Sequence, residues 1–242
     1  MKKKVLTVAF VVALIAIMVS GTLAYFTDND EVTNTFTIGS VKIEIFENDK
    51  PTDDDTVEFD KPFVPIVNTA DPSQDASYIP KAVKVQNTGN NNAYIRTHIA
   101  IPKALIGYLY LDLDTNSGWV RKQPDTTATV DGVLYDVFTY DYDTAVAPNA
   151  FTNELLKGVY LGSNVDLEEN SNGDLVFVLR KDDGTTQTSS FIAHTKNADG
   201  TYTTNEVNVL VASQAIQTAG FEGVTVTEAL NSGFTAHPWP MN

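Results

Sequence analysis

The stretch Lys81–Ile101, which reads KAVKVQNTGNNNAYIRTHIAI, decides the class of fold. Apolar and polar residues alternate on both sides of a turn rich in asparagine and glycine, and this period of two is typical of a half-buried β-strand. In the second half, the residues that share one face are Ala93, Ile95, Thr97, Ile99 and Ile101. The stretch therefore predicts a hairpin whose second strand points Tyr94, Arg96 and His98 outward.

The same signal recurs along the chain. Asp131-Gly132, Asp183-Gly184 and Asp199-Gly200 each stand between two alternating runs, and Asp-Gly is a strong signal for a tight hairpin turn. Many short strands separated by such turns indicate a sandwich or a jelly roll. We therefore expect an all-β fold with a few short helices, arranged as a jelly-roll-like antiparallel β-sandwich.

Few segments favour a helix. Thr225 stands three residues before Glu228, which is a capping box, and Gly233 can end that helix. Residues 148–158 can hold a further helical turn or two. Residues 101–114 remain ambiguous, because Pro102 can begin a helix whereas the residues from 108 to 113 alternate like a strand.

The N-terminus has the features of an export signal. Three lysines precede fifteen residues, 5–19, that are apolar except for Thr7, and small residues follow. These features predict a signal peptide over residues 1–24, with cleavage between Ala24 and Tyr25. The alternative is a retained membrane anchor, although the run is shorter than the roughly 20 apolar residues that span a bilayer.

Charge and cysteine content limit the possible partners. Removing residues 1–24 takes away three lysines and no acid, so the formal charge falls from −15 to −18. Such a surface repels nucleic acid and anionic lipid, so we expect neither as a partner. We expect contact with a membrane only through the uncleaved signal. The chain has no cysteine, so a single domain over residues 41–242 must be held by its core.

No catalytic motif is apparent. His98, His194 and His237 lack zinc-ligand spacing, and no G-x-S-x-G elbow occurs, so we expect no catalytic residue, metal or other cofactor. Calcium stays open, because acidic loops supply oxygen ligands at Asp112, Asp114, Asn116 and residues 53–55. In the first loop, glycine falls at the seventh position instead of the sixth, and a glutamine stands at the twelfth position, where a calcium loop has a glutamate. These departures favour a solvated loop instead.

Aromatic residues follow the expected strands. They are more often core and cross-strand pairs than a binding platform. One group remains a candidate for an exposed strip, namely Tyr135, Tyr140 and Tyr142.

In the first mature segment, the apolar residues switch from even to odd sequence numbers at one point. The apolar residues before this point have even numbers, and they are Phe26, Val32, Phe36 and Ile38. After Gly39 and Ser40 the apolar residues have odd numbers, beginning at 41. Because a slip of one residue moves side chains to the other face, this switch predicts a hinge at Gly39 and Ser40 between an N-terminal arm, residues 25–40, and the domain.

The stretch GTLAYFTDNDEVTNTFTIGSVKIEI resembles the start of the TasA and camelysin-like (CalY) family of SipW-dependent biofilm matrix proteins. The matching features are G-T-x-A before the cut, Phe26 and Asp28 after it, and N-x-F-x-x-G at Asn34, Phe36 and Gly39. Weaker similarities occur in residues 85–102, 135–161 and 209–230.

This resemblance implies a secreted structural subunit in the extracellular matrix or at the cell surface of a Gram-positive bacterium. Such a subunit polymerises head to tail into fibres by donating its N-terminal strand to a neighbour, with Phe26, Val32, Phe36 and Ile38 as the arm that fills the neighbour's pockets. The implied partners are further copies of the chain, a dedicated signal peptidase, and accessory or anchoring proteins.

Three alternatives stay open. The arm can be an ordinary first strand of its own sheet. The protein can be a secreted carbohydrate- or surface-binding β-sandwich module. Some relatives are described as metalloproteases, but no zinc-protease motif is found in this sequence.

Overall fold

The computed structural model describes residues 27–29, 41–51, 56–57, 64–114 and 116–240. These residues form fifteen strands, one α-helix and two short 3-10 turns. The strands are β1 (Thr27–Asn29), β2 (Ile43–Glu47), β3 (Lys50–Pro51), β4 (Thr56–Val57), β5 (Ile79–Asn87), β6 (Ala93–Pro102), β7 (Leu109–Leu113), β8 (Trp119–Val130), β9 (Val133–Tyr142), β10 (Leu156–Leu161), β11 (Val165–Glu169), β12 (Leu175–Arg180), β13 (Thr186–Lys196), β14 (Tyr202–Thr204) and β15 (Val209–Gln217). The helix is α1 (Val226–Gly233), and the 3-10 turns are Pro72–Gln74 and Lys103–Leu105.

The strands form three antiparallel sheets. Sheet I has the order β1-β15-β6-β9-β8, with β4 also paired to β15. Sheet II has the order β3-β2-β5-β10-β7, and sheet III has the order β11-β12-β13-β14. The structure thus confirms an all-β antiparallel sandwich with few short helices.

The main core lies between sheets I and II. Alternate residues of β2 and β5, such as Ile43 and Val85, meet alternate residues of β6 and β15, such as Ile95 and Val211, in one buried cluster. Val165, Phe177 and Ala193 of sheet III join the same cluster. The period-two pattern therefore identifies the buried face, since successive side chains of a strand point to opposite sides.

The predicted hairpin at Lys81–Ile101 is wrong in its pairing. Both halves are strands, but β5 lies in sheet II and β6 lies in sheet I, so the turn between them crosses the sandwich. Asn87 holds this crossing, because its side-chain amide donates to the carbonyls of Asn91 and Val146. Chain crossings between the two sheets recur from β6 to β7, β7 to β8 and β9 to β10, as in jelly rolls.

The three Asp-Gly turns are confirmed as hairpins. They join β8 to β9, β12 to β13, and β13 to β14. At the first turn both central residues have positive φ, 50° for Asp131 and 80° for Gly132, as a type I′ turn requires. Turn chemistry therefore fixes these pairings locally.

The helical predictions are partly confirmed. Thr225 and Glu228 form the capping box of α1, which ends at Gly233. Residues 148–158 contain no helix, because Thr152 and Leu155 donate their backbone N–H groups to β5. Residues 103–105 form a 3-10 turn and 109–113 a strand, which resolves the ambiguous stretch. Within the described ranges, no helix is long and apolar enough to cross a bilayer.

Candidate functional site

Strand β15 has an unusual position in sheet I. All nine of its residues are buried. On one side it pairs with β6 from Leu210 to Gln217. On the other side, which we call the β15 edge, only the three-residue β1 and the two-residue β4 pair with it among the described residues. The described partners on this side are therefore much shorter than β15 itself.

The two short strands divide the β15 edge. β1 lies opposite residues 214–216, with Asp28 facing Ala215, and β4 lies opposite Val209 and Leu210. Residues 211–213 have no strand partner on this edge within the described part of the chain. Ala215 belongs to the main core, whereas Ile216 packs under α1 on the outer face. The β15 edge therefore has one face on the main core and one face under α1.

Most predicted assembly residues lie outside the described residues. These are the cleavage residues Ala24 and Tyr25, the arm residues Phe26, Val32, Phe36 and Ile38, and the hinge residues Gly39 and Ser40. Residues 27–29 lie between them and form β1, which pairs with the chain's own β15. Within one chain, the described part of the arm thus has the own-sheet pairing that the sequence left as an alternative.

A buried polar network covers the outer face of sheet I. Arg96 and His98 do point away from the main core, as predicted, but they are only 6% and 2% exposed. α1 and residues 234–240 lie over them: Asn231 accepts a hydrogen bond from Arg96, and Trp239 lies 6.3 Å from the His98 ring. Arg96 and His98 therefore point away from the main core without reaching solvent.

His98 is held as a neutral imidazole. The amide nitrogen of Gln214 donates to the carbonyl of Ala236, so its oxygen accepts from His98 Nε2 at 3.0 Å. His98 Nδ1 then accepts from the Thr139 hydroxyl at 2.9 Å. Burial lowers the pKa of His98 to about 4, with a smaller opposing effect of the Gln214 hydrogen bond. Both ring nitrogens are thus committed to structural hydrogen bonds.

Two histidines that are distant in sequence meet here. The rings of His98 and His237 lie 6.1 Å apart, and His237 Nε2 donates to the carbonyl of Thr127. His194 lies elsewhere, on sheet III, where it bonds to Thr204. Across the described residues, no group of three or more His, Asp or Glu side chains is placed to hold a metal ion. Sequence spacing missed the pair because it forms across strands and the C-terminal segment.

We predict that His98 makes stability fall with acid. The histidine pKa is 6.5 in an unfolded chain and about 4 here. The folded state therefore disfavours protonation, so the stability present above pH 6.5 is lost as the pH falls from 6.5 towards 4, by about 3 kcal/mol. Urea unfolding at several pH values measures this loss. His98→Gln is the control, and the same pH dependence in both proteins would contradict the prediction.

The acidic residues of the calcium hypothesis have protein partners. The Tyr78 hydroxyl donates to Asp112 Oδ2 at 2.8 Å. Asp114 pairs with Lys157 at 3.0 Å and accepts from the backbone of Asn116. The hydrogen bond from Lys157 lowers the pKa of Asp114. A lysine thus supplies the positive charge beside Asp114. The other acidic group of the hypothesis, residues 53–55, lies outside the described residues.

The predicted exposed tyrosine strip is wrong. Tyr135, Tyr140 and Tyr142 are all buried, because Tyr135 lies in the cluster that contains Trp239 while the other two belong to the main core. Among the described residues, the exposed aromatic side chains are Tyr110 and Phe151 on the outer face of sheet II, at 40% and 41%, and Tyr202 on sheet III, at 40%.

Comparison with protein-family models, with curated proteins and with solved structures finds no match for this chain.

Proposed function

We propose that this protein is an exported structural subunit that polymerises into extracellular fibres by donating its N-terminal strand to a neighbouring copy. The observation that supports the proposal is the β15 edge, where, among the described residues, a fully buried strand pairs with three residues of the arm and two of β4. The resemblance of the mature N-terminus to fibre-forming matrix proteins supports the same function. Neither a catalytic group nor a cofactor enters this account.

Strand exchange explains how the same edge serves a monomer and a fibre. In one chain, β1 pairs with its own β15. In the fibre, the arm of one copy takes that place on the next copy, and the same main-chain hydrogen bonds form between subunits. Each copy then gives an arm at one end and receives one at the other, so the contact is heterologous and continues as a filament.

The register of β1 predicts where the donated arm fits. Asp28 faces Ala215. Continuing this antiparallel register places Val32 opposite Val211, whose side chain belongs to the main core. By parity, Phe26, Val32, Phe36 and Ile38 then share the core-facing side of the groove, together with the polar residues Asp28, Asp30 and Asn34.

β4 limits how far the arm extends along this edge. In the same register, positions 33 and 34 fall opposite Leu210 and Val209, where β4 pairs with β15, and Phe36 and Ile38 fall past the first residue of β15. A longer donated strand therefore requires β4 to leave the edge. Cleavage before Tyr25 frees the arm from a membrane-held signal, so proteolysis acts as the step that permits assembly.

Electron microscopy of the mature protein, starting at Tyr25, tests the proposal. We expect regular filaments that grow with protein concentration. A protein that stays monomeric at all concentrations would exclude a fibre subunit. A zinc-dependent peptidase activity with stoichiometric metal would favour the metalloprotease alternative, and binding of a polysaccharide by a stable monomer would favour the binding module.

A further inference from the structure

Three tyrosines stack on the outer face of sheet II. Tyr110 of β7 and Tyr160 of β10 are direct cross-strand neighbours. Their ring centroids lie 5.5 Å apart and the rings are nearly parallel, at 14°. Tyr78 stacks on the other side of Tyr160 at 6.4 Å. Their strand neighbours Leu109, Val159 and Leu161 are in the main core, so the tyrosine stack faces outward.

Two glycines leave room for this tyrosine stack. A Cβ atom at Gly158 would lie 2.2 Å from the Tyr78 ring, and one at Gly162 would lie 2.9 Å from the Tyr110 ring. Neither distance is compatible with a side chain in the present packing. The hydroxyl of Tyr78 is fixed on Asp112. The two glycines leave space for the Tyr78 and Tyr110 rings, and the Asp112 carboxylate holds the Tyr78 hydroxyl, so the fold itself fixes the ring positions.

We propose that Tyr110 and Tyr160 are a site of oxidative cross-linking, at which hydrogen peroxide and a haem peroxidase convert the pair into dityrosine. Each phenol loses one electron and one proton, and the two phenoxyl radicals form a carbon–carbon bond between ring positions next to the hydroxyls. The two ring hydrogens then move to the oxygens, which restores both phenols. One peroxide is reduced to two waters, so electrons and atoms balance.

Accessibility and position favour this pair. Tyr110 is 40% exposed, so an external oxidant reaches it, whereas Tyr78 is only 7% exposed. Tyr160 lies between these two rings and can pass an electron to the Tyr110 radical by direct contact. The bond would join the edge strand β7 to β10 in a chain that has no cysteine for a disulfide. The inference does not depend on fibre formation.

The test treats the purified monomer with peroxidase and hydrogen peroxide. We expect dityrosine fluorescence in the monomer fraction and a tryptic cross-link between residues 104–121 and 158–180, with a mass lower by two hydrogen atoms. Tyr160 is the sole tyrosine of the second peptide. Tyr110→Phe and Tyr160→Phe should each lose this cross-link, while circular dichroism confirms that both variants are folded.

Tyr202→Phe is the matched control. Tyr202 is also 40% exposed but lies on β14 of sheet III, so its removal should leave the cross-link intact. The proposal is overturned if the cross-link persists in Tyr110→Phe, whose peptide still contains Tyr108, or if dityrosine forms only between separate chains. It is equally overturned if oxidation modifies Tyr202 without joining Tyr110 to Tyr160.

Discussion

Deletion of residues 25–38 is expected to leave a folded monomer that forms no filaments. The deletion removes β1, whereas β2, β5, β6 and β15, whose described residues supply the main core between sheets I and II, remain. Phe36→Asp is expected to act similarly, because an ionised carboxylate without a partner is costly in an apolar pocket. Circular dichroism and size-exclusion chromatography establish the folded monomer, and electron microscopy establishes the loss of filaments.

The control for Phe36→Asp introduces the same charge at the opposite edge of sheet I. Val120 of β8 is 49% exposed, so Val120→Asp should assemble like the unmodified protein. If β1 is simply part of its own sheet, deletion of the arm should unfold or aggregate the protein instead. Filaments from the truncated protein would rule out a donated arm.

Asp141→Ala is expected to destabilise the protein by about 3–5 kcal/mol, since it leaves a buried guanidinium without its partner. Arg96 contacts the two oxygens of Asp141 at 2.6 and 3.0 Å, and the Asp141 side chain is 2% exposed. Thr227 of α1 also donates to Asp141. The change therefore loosens the helix from sheet I, and denaturant unfolding measures the loss.

Asp166→Ala is the matched control for this pair. Asp166 also pairs with an arginine, Arg180, but both side chains are about half exposed and Glu168 provides a second partner. An exposed pair of this kind contributes roughly 0–1 kcal/mol. Equal losses of stability from Asp141→Ala and Asp166→Ala would contradict the assignment of the buried pair as a main anchor of α1.

Local chemistry made much of the fold predictable. Alternation identified the strands on either side of residues 88–92, and the Asp-Gly turns identified three hairpins correctly. Alternation does not say which sheet a strand joins, so it predicts a hairpin where the chain crosses from β5 in sheet II to β6 in sheet I. That choice depends on distant partners: β5 pairs with β2 and β10, whereas β6 pairs with β15 and β9.

The site was less predictable for the same reason. Parity suggested a separate N-terminal arm, but its partner strand lies almost 190 positions further along the chain, since Thr27 pairs with Ile216. The strand pattern places His98 on the outward face, but a single strand does not reveal that residues 234–240 cover it. The pairing of β7 with β10 brings Tyr110 and Tyr160 together, so neither strand alone shows the pair.

The most direct test of strand donation is a disulfide between two copies of the chain. Asp28→Cys and Ala215→Cys are made in separate proteins, and the chain has no other cysteine. Cross-strand partners have Cα atoms about 4.5–5.5 Å apart, within the range that a disulfide bridges. The control mixture combines Asp28→Cys with Val120→Cys, which places the second thiol on the opposite and more exposed edge of sheet I.

The two variants are mixed under filament-forming conditions, oxidised and separated without reductant. We expect much more disulfide-linked dimer from Asp28→Cys with Ala215→Cys than from the control mixture, and a covalent ladder when one chain carries both changes. Filaments that yield no such dimer, together with only an intrachain disulfide in the double variant, would contradict the donation of the arm to β15 of a neighbour.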